Sequence, residues 1–102
     1  MPLIAAHGTE FHVQELGARD GGVPVVMLHG LLVDSMASWF LTSAPALARE
    51  RRVCLFDLRG HGKSAQPPAG YDAATQTADL AALIDHWTGG CGPVALCGHS
   101  WG

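Results

Sequence analysis

The sequence predicts an α/β fold, and three observations lead to it: an opening pair of alternating segments, three short apolar segments, and two helical segments between them. The apolar segments consist almost wholly of apolar side chains, which is typical of strands covered on both faces. They comprise residues 24–28, 53–56 and 93–97. Because these strands alternate with helices, we expect a sheet that is parallel after its first strands.

The other elements follow from turn and helix signals. Residues 2–6 and 9–16 are predicted to form a β-hairpin, with His7-Gly8 as its turn. The first helical segment, about residues 39–50, contains Pro45 and is therefore expected to be broken or to begin late. The second, about residues 72–87, has Asp72 as a predicted N-cap and Gly89-Gly90 as a predicted stop.

The second helical segment is predicted to be amphipathic. Its periodicity places Leu80, Ile84 and Trp87 on the core face, together with Ala73, Thr77 and Ala81. It places Asp79, Asp85 and His86 away from the centre of that face.

Composition limits the class of protein. With 102 residues, 48% hydrophobic and 15% charged, residues 1–102 are expected to form one domain or part of one. The net charge of −3 includes no basic stripe for nucleic acid, and the cluster Arg49, Arg51 and Arg52 is interpreted as cations at a helix C-terminus. There is no secretory signal and no apolar run of about 18 residues, so we expect a cytoplasmic protein that does not bind membranes.

Cysteine and histidine positions argue against disulfides and metals. Cys54 and Cys97 lie in apolar strand segments, so reduced thiols are expected. No cysteine and histidine cluster has zinc spacing, so we expect neither a metal nor a cofactor.

The motif with the strongest chemical meaning is Gly98-His99-Ser100-Trp101-Gly102, directly after the third apolar strand. In a G-x-S-x-G elbow the serine occupies a tight turn from strand to helix, and a Cβ at either glycine would collide with neighbouring backbone. Ser100 is therefore the predicted nucleophile.

A second motif, His29-Gly30, follows the apolar strand 24–28. A two-donor oxyanion hole takes one backbone N–H from the residue after the nucleophile and one from a loop after an earlier strand. Trp101 and Leu31 are those candidates, which leaves their side chains to shape the pocket. By itself His29-Gly30 would indicate only a tight turn.

A third motif, Asp57-Leu58-Arg59-Gly60-His61-Gly62-Lys63-Ser64, follows the strand 53–56. In this order, the three motifs resemble the N-terminal half of the α/β-hydrolase fold, and the resemblance covers nearly the whole chain. It implies that the segment 57–64 is a structural turn near the site and that Ser64 is not a second nucleophile. It also implies that the catalytic acid and histidine follow the serine in chain order.

Neither histidine beside the motifs is predicted to be the general base. His99 adjoins Ser100 on an extended backbone and should point to the opposite face. His29 would approach from the oxyanion side, whereas a base must sit opposite. No residue follows Gly102, so we expect the acid and base to come from a C-terminal part, in the same chain or as another chain. Residues 1–102 alone are expected to be inactive, with the strand 93–97 as an apolar edge.

The resemblance also suggests a branch of the family. A serine at the elbow argues against the epoxide hydrolase and haloalkane dehalogenase branches, which use aspartate. Leu31-Leu32-Val33 after His29-Gly30 departs from the Gly-Pro-Gly of proline iminopeptidases and C–C hydrolases. The segment ending in Ser38-Trp39-Phe40 looks more like small carboxylesterases, lactonases and cofactor-free haloperoxidases.

We therefore expect a serine hydrolase acting on a small, apolar, ester-like substrate, namely a carboxylic ester, lactone or thioester. His29, Gly30, Trp39, Gly98, His99 and Gly102 are expected to shape its site. The alternatives are a non-catalytic homologue that binds a ligand in the same pocket, a haloperoxidase or C–C hydrolase type of member, and a free-standing interaction module.

Overall fold

The computed structural model describes residues 3–17, 23–30, 35–90, 92–100 and 102. Five strands and three helices alternate along them. In chain order they are β1 (Leu3–Ala6), β2 (Thr9–Leu16), β3 (Val25–Leu28), α1 (Ala37–Phe40), α2 (Ser43–Leu47), β4 (Val53–Phe56), α3 (Ala73–Thr88) and β5 (Ala95–Gly98).

The strands form one mixed sheet in the order β1-β2-β4-β3-β5. The hairpin of β1 and β2 is antiparallel, and β2 is antiparallel to β4. Strands β4, β3 and β5 are parallel to one another. The predicted α/β class and the change from antiparallel to parallel pairing are therefore confirmed.

Strand β4 is the most deeply buried strand, because it lies between β2 and β3 and all four of its residues are buried. Its side chains alternate between two apolar clusters. Cys54 and Phe56 pack with Phe11, Leu83 and Trp87 on the side of α3. Val53 and Leu55 pack with Met27, Met36 and Ala44 on the side of α1 and α2.

The first helical segment is broken, as Pro45 predicted. Helix α1 ends at Phe40, and α2 begins at Ser43, which leaves Pro45 in a first turn, where its missing N–H costs no helical hydrogen bond. The arginines beyond α2 do not form the helix end that the sequence predicted. Arg52 is buried and donates to the Trp87 carbonyl in the last turn of α3, at 2.8 Å, and to Glu15 on β2.

Helix α3 begins and ends as predicted, but its buried face was assigned partly wrongly. The Asp72 carboxylate accepts the Thr75 N–H at 3.0 Å, and Gly89 ends the helix in the left-handed conformation. The buried residues of α3 are Asp79, Leu83 and Trp87, which follow one another at intervals of four residues and therefore lie on one face of the helix. Asp79, expected off the core face, is buried, whereas Ala73, Thr77 and Ala81 are exposed. Asp79 is buried because an ion pair, described below, replaces its hydration.

Strand β5 differs from the other parallel strands. Among the described residues it pairs with β3 alone, and three of its four residues are exposed, with Leu96 at 58% of its full accessible area. It forms the apolar edge that the sequence predicted.

Candidate active site

The carboxyl ends of β3 and β5 bring two of the sequence motifs together. The two strands are parallel neighbours, and Leu28 is in register with Gly98. His29-Gly30 and His99-Ser100 are therefore adjacent at the same edge of the sheet, where ligands bind in open α/β sheets.

Ser100 lies two residues beyond β5 in an uncommon backbone conformation. Its φ of 60° falls in the left-handed region, which a non-glycine residue occupies at a cost of about 1–3 kcal/mol. His7 in the β1–β2 turn is the other non-glycine residue with positive φ in the described part of the chain. The serine is exposed. The sequence predicted a tight turn at the end of a strand, and this is where Ser100 lies.

The glycines that flank Ser100 are required by contact with backbone. A Cβ on Gly98 would lie 2.4 Å from the carbonyl carbon of Gly102. A Cβ on Gly102 would lie 2.5 Å from the Leu28 oxygen and 2.8 Å from the His29 oxygen. Both distances are too short for a Cβ atom beside backbone, so the turn can close only with glycine at positions 98 and 102.

Main-chain bonds hold the turn against β3. The His99 N–H donates to the Leu28 oxygen at 3.2 Å, which extends the parallel ladder beyond β5, and the Gly102 N–H donates to the His99 oxygen at 3.0 Å. The indole N–H of Trp39 donates to the same Leu28 oxygen at 3.0 Å. Trp39 and His99 line a cavity of about 220 Å³, together with Ser38 and Thr42.

His29 is fully buried, and both of its ring nitrogens are hydrogen-bonded. Nε2 accepts the Leu58 N–H at 2.9 Å, which places the ring hydrogen on Nδ1, and Nδ1 donates to the Gly30 oxygen at 2.6 Å. The ring of His61 lies beside it, with 5.1 Å between ring centroids. His29 therefore connects the end of β3 to the segment after β4.

The segment after β4 is a dense turn around the buried carboxylate of Asp57. This carboxylate accepts from the Met36 N–H at 2.8 Å, from the Lys63 N–H at 3.0 Å and from Nδ1 of His12 at 2.7 Å. Ser64 is also buried, and its hydroxyl donates to the Asp57 carbonyl at 2.6 Å. These contacts are those of a structural turn.

A buried ion pair fastens this turn to α3. The guanidinium of Arg59 donates to both oxygens of Asp79, at 2.7 and 2.9 Å, and Nδ1 of His7 lies 2.7 Å from one of them. The hydrogen bond to Asp79 raises the pKa of Arg59 above its ordinary value, although burial acts in the opposite direction. One carboxylate thus joins the β1–β2 turn, the segment after β4 and α3.

The two candidate oxyanion donors, Leu31 and Trp101, lie outside the described residues. Metal binding gains no support from the geometry: within the described ranges, no three histidine, cysteine, aspartate or glutamate side chains come together. No helix among these residues is long and apolar enough to cross a membrane.

Sequence reasoning missed the residues that hold the site. In the sequence, His12 is only one of several side chains in a predicted strand of alternating polarity. Asp79 is only an acidic residue of a predicted helix, away from the centre of its core face. Asp57 was assigned to a turn without any partner. A buried polar residue in the sequence shows no signal of its own, because its burial depends on a partner that is distant along the chain: 45 residues separate His12 from Asp57.

Comparison with known proteins identifies the fold. A family model described as alpha/beta hydrolase fold matches residues 23–102. The non-heme chloroperoxidase of Streptomyces lividans is 40% identical over 83 residues, which are 81% of this chain and 29% of that protein. The dihydrolipoyllysine-residue acetyltransferase component of the acetoin cleaving system of Pseudomonas putida is 42% identical over 88 residues, 86% of this chain and 22% of that protein.

Solved structures superpose on nearly the whole chain. The enol-lactonase of Burkholderia xenovorans LB400 superposes with a TM-score of 0.83 and 33% identity, covering 98% of this chain and 37% of that one. The epoxide hydrolase CorEH superposes with a TM-score of 0.86 and 35% identity, covering 99% and 33%. The chain thus spans about a third or less of the length of these relatives. The five-stranded sheet corresponds to the N-terminal half of their fold, and the chain belongs to the α/β-hydrolase family.

Proposed function

We propose that this chain carries the nucleophile of a serine hydrolase that cleaves small, apolar, ester-like substrates. The observation that carries the proposal is the backbone of Ser100, whose φ of 60° is combined with two flanking glycines that no side chain could replace. Such a turn lifts a serine hydroxyl above the edge of the sheet, where a substrate carbonyl can reach it.

In the proposed reaction, the Ser100 oxygen attacks the substrate carbonyl and forms a tetrahedral intermediate. Backbone N–H groups of Leu31 and Trp101 stabilise the negative charge that develops on the carbonyl oxygen. The general base takes the Ser100 proton during the attack and passes it to the alcohol or thiol as that group leaves; it then takes a proton from the water that cleaves the acyl-enzyme and returns it to Ser100. For a lactone the leaving alcohol stays attached to the acyl group.

The proposal needs a general base outside the described residues. His29 is excluded because its Nε2 accepts a backbone N–H. His12 has the carboxylate partner expected of a catalytic histidine, but it lies on β2, three strand positions from β5. Neighbouring strands are about 4.8 Å apart, so about 14 Å separate the two strands. We therefore propose that a C-terminal part of the protein supplies the histidine and its acid.

The serine separates this proposal from epoxide hydrolysis. Several similar structures are epoxide hydrolases, and the resemblance implies that this branch uses an aspartate nucleophile. An aspartate forms an ester with an opened epoxide, which water then cleaves, whereas a serine would form a stable ether. Ser100 therefore favours acyl chemistry, of which the enol-lactonase is one solved example.

The test is hydrolysis of p-nitrophenyl acetate and butyrate by the protein with its C-terminal part present. We expect turnover in the ordinary enzyme range of about 1–10³ s⁻¹, lost in Ser100→Ala and kept in Ser43→Ala, an exposed serine at the start of α2. Turnover of styrene oxide that exceeds ester turnover would contradict the proposal. So would binding of the esters without Ser100-dependent turnover, which would indicate a ligand-binding homologue.

Residues 1–102 alone provide a second test. Without a base, the hydroxyl is a weak nucleophile, and an oxyanion hole with substrate binding leaves at most about 10³–10⁴-fold over water. Ordinary turnover by residues 1–102, abolished by Ser100→Ala, would mean that a base lies within them and that His99 has to be reconsidered.

A further inference from the structure

One carbonyl oxygen, that of Leu28 at the end of β3, binds both the turn that carries the serine and a side chain from α1. It accepts the His99 N–H at 3.2 Å and the indole N–H of Trp39 at 3.0 Å. We propose that Trp39 is a positioning residue, which fixes the turn around Ser100 through this oxygen. The inference rests on the proposed function, because the position of Ser100 matters for catalysis only if its hydroxyl attacks a substrate.

The Leu28 oxygen contacts the turn on both sides of the serine. On one side, the bond from the His99 N–H joins the residue before Ser100 to β3. On the other side, the main chain of Gly102 lies so close that a Cβ there would be 2.5 Å from the same oxygen. A carbonyl oxygen has two lone pairs, so the bond from the turn leaves one for a second donor. Movement of this one atom would therefore displace both sides of the turn.

Trp39 is placed to restrain that oxygen. Its side chain is partly buried and packs against the apolar cluster on the side of α1 and α2. An indole has one donor at a fixed position on a rigid ring, so packing of the ring also fixes the direction of the hydrogen bond. The Leu28 oxygen is thus located by a side chain that is anchored in the core, and not only by the exposed strand β5.

The turn is expected to need this support because it follows an exposed strand. Among the described residues β5 pairs with β3 alone, and three of its four residues are exposed. The left-handed backbone of Ser100 costs energy, so a loosened turn would relax toward a more common conformation. A displacement of about 1 Å at the reacting atoms can lower a rate about 10²-fold. Loss of the bond from Trp39 should therefore lower kcat more than it weakens substrate binding.

The experiment compares two tryptophans in the protein with its C-terminal part present. The indole N–H of Trp87 has no hydrogen-bond partner among the described residues. Trp39→Phe and Trp87→Phe therefore remove the same atoms, but only the first removes a hydrogen bond of the indole. Because Trp87 is the more deeply buried, Trp87→Phe should cost at least as much stability. A third variant has benzothienylalanine at position 39, which keeps the shape of both rings and replaces the indole N–H by sulfur.

We expect Trp39→Phe to lower kcat for p-nitrophenyl butyrate by about 10–10²-fold with little change in KM, and benzothienylalanine to lower it to a similar extent. Trp87→Phe should keep the wild-type kcat. A wild-type kcat in Trp39→Phe or with benzothienylalanine would overturn the inference. So would a raised KM with unchanged kcat, which would make Trp39 a contact of the substrate, or an equal loss of kcat in Trp87→Phe, which would make the effect one of stability.

Absence of Ser100-dependent turnover in the wild type would contradict the proposed function instead. The role of Trp39 in holding the turn is then decided by amide hydrogen exchange, which needs no substrate. The reference is the Ala95 N–H, which bonds to β3's side of the same ladder at the other end of β5. The exchange rate of the His99 N–H relative to this reference should rise about 2–10-fold in Trp39→Phe and stay constant in Trp87→Phe. An unchanged ratio in Trp39→Phe would overturn the inference.

Discussion

Two turns at the same edge of the sheet, one after β4 and one after β5, are held in different ways. Asp57, Arg59 and Ser64 in the first are buried and bond to partners on β2, at the N-cap of α1 and on α3. The second is exposed, and its described bonds and close contacts are those of main-chain atoms, with glycine where a side chain would collide.

The difference shows that the residues which hold the site in place are separate from the residue proposed to react with substrate. A turn held by buried side chains is rigid, but the polar groups of those side chains, here Asp57, Arg59 and Ser64, are engaged with partners inside the protein. A turn shaped by backbone alone leaves a side chain such as Ser100 at the surface, where it can meet a substrate. We therefore expect substitutions after β4 to act mainly on stability, and substitutions after β5 to act mainly on the reactivity of Ser100.

The largest stability effect is expected for Asp79→Ala. The substitution leaves the guanidinium of Arg59 buried without its carboxylate, which typically costs about 3–5 kcal/mol. Urea unfolding measures the loss. His7→Ala removes a half-exposed partner of the same carboxylate and should cost less than about 1 kcal/mol. Equal losses in the two variants would show that the ion pair is not what holds the turn after β4.

A smaller loss of stability, of about 1–3 kcal/mol, is expected for Gly98→Ala. The new Cβ collides with the Gly102 carbonyl, but the elbow is exposed and can open outward to relieve the contact. Opening should also lower the rate at which Ser100 reacts. Ala95→Ser, an exposed position on the same strand, is the matched control and should change stability by less than about 0.5 kcal/mol. An unchanged rate of reaction at Ser100 in Gly98→Ala would contradict the assigned elbow.

The smallest effect on stability is expected at the start of α3, which follows the turn after β4. Hydrogen bonds from the Thr75 hydroxyl and N–H lower the pKa of Asp72. A lowered pKa stabilises the fold above the unfolded pKa, and the contribution disappears as the pH falls through the folded value.

Asp72→Ala should therefore be less stable than the wild type at pH 7, and the difference should shrink below about pH 4. Urea midpoints at pH 7 and pH 3 give the comparison. Asp72→Asn keeps an N-cap that does not ionise and should show less pH dependence than the wild type. A difference between Asp72→Ala and the wild type that is the same at both pH values would mean that the cap does not act through its charge.

The sequence predicted most of what depends on local pattern. The strands, the broken first helix and both ends of α3 follow from apolar runs, Pro45 and the caps, which act over a few residues. The elbow was predictable because a five-residue motif, Gly98 to Gly102, marks it, and the Gly98 constraint lies within that motif; the Gly102 constraint comes from the Leu28 and His29 oxygens at the end of β3.

The sequence could not predict what depends on distant partners. The burial of Asp79 requires Arg59, 20 residues away, and the Met36 N–H finds its acceptor in Asp57, 21 residues away. Periodicity assigns a charged residue to the surface, because burying an unpaired charge is costly. A buried pair escapes this rule, and only the fold shows which two residues meet.

The most direct test of Ser100 as nucleophile is the site that a fluorophosphonate probe labels in the protein with its C-terminal part present, read by peptide mass spectrometry. We expect Ser100 alone to be labelled. Ser64, which is buried in the turn after β4, and Ser35, which precedes α1, should remain unmodified. Labelling that persists in Ser100→Ala would contradict the assignment of the nucleophile and, with it, the proposed function.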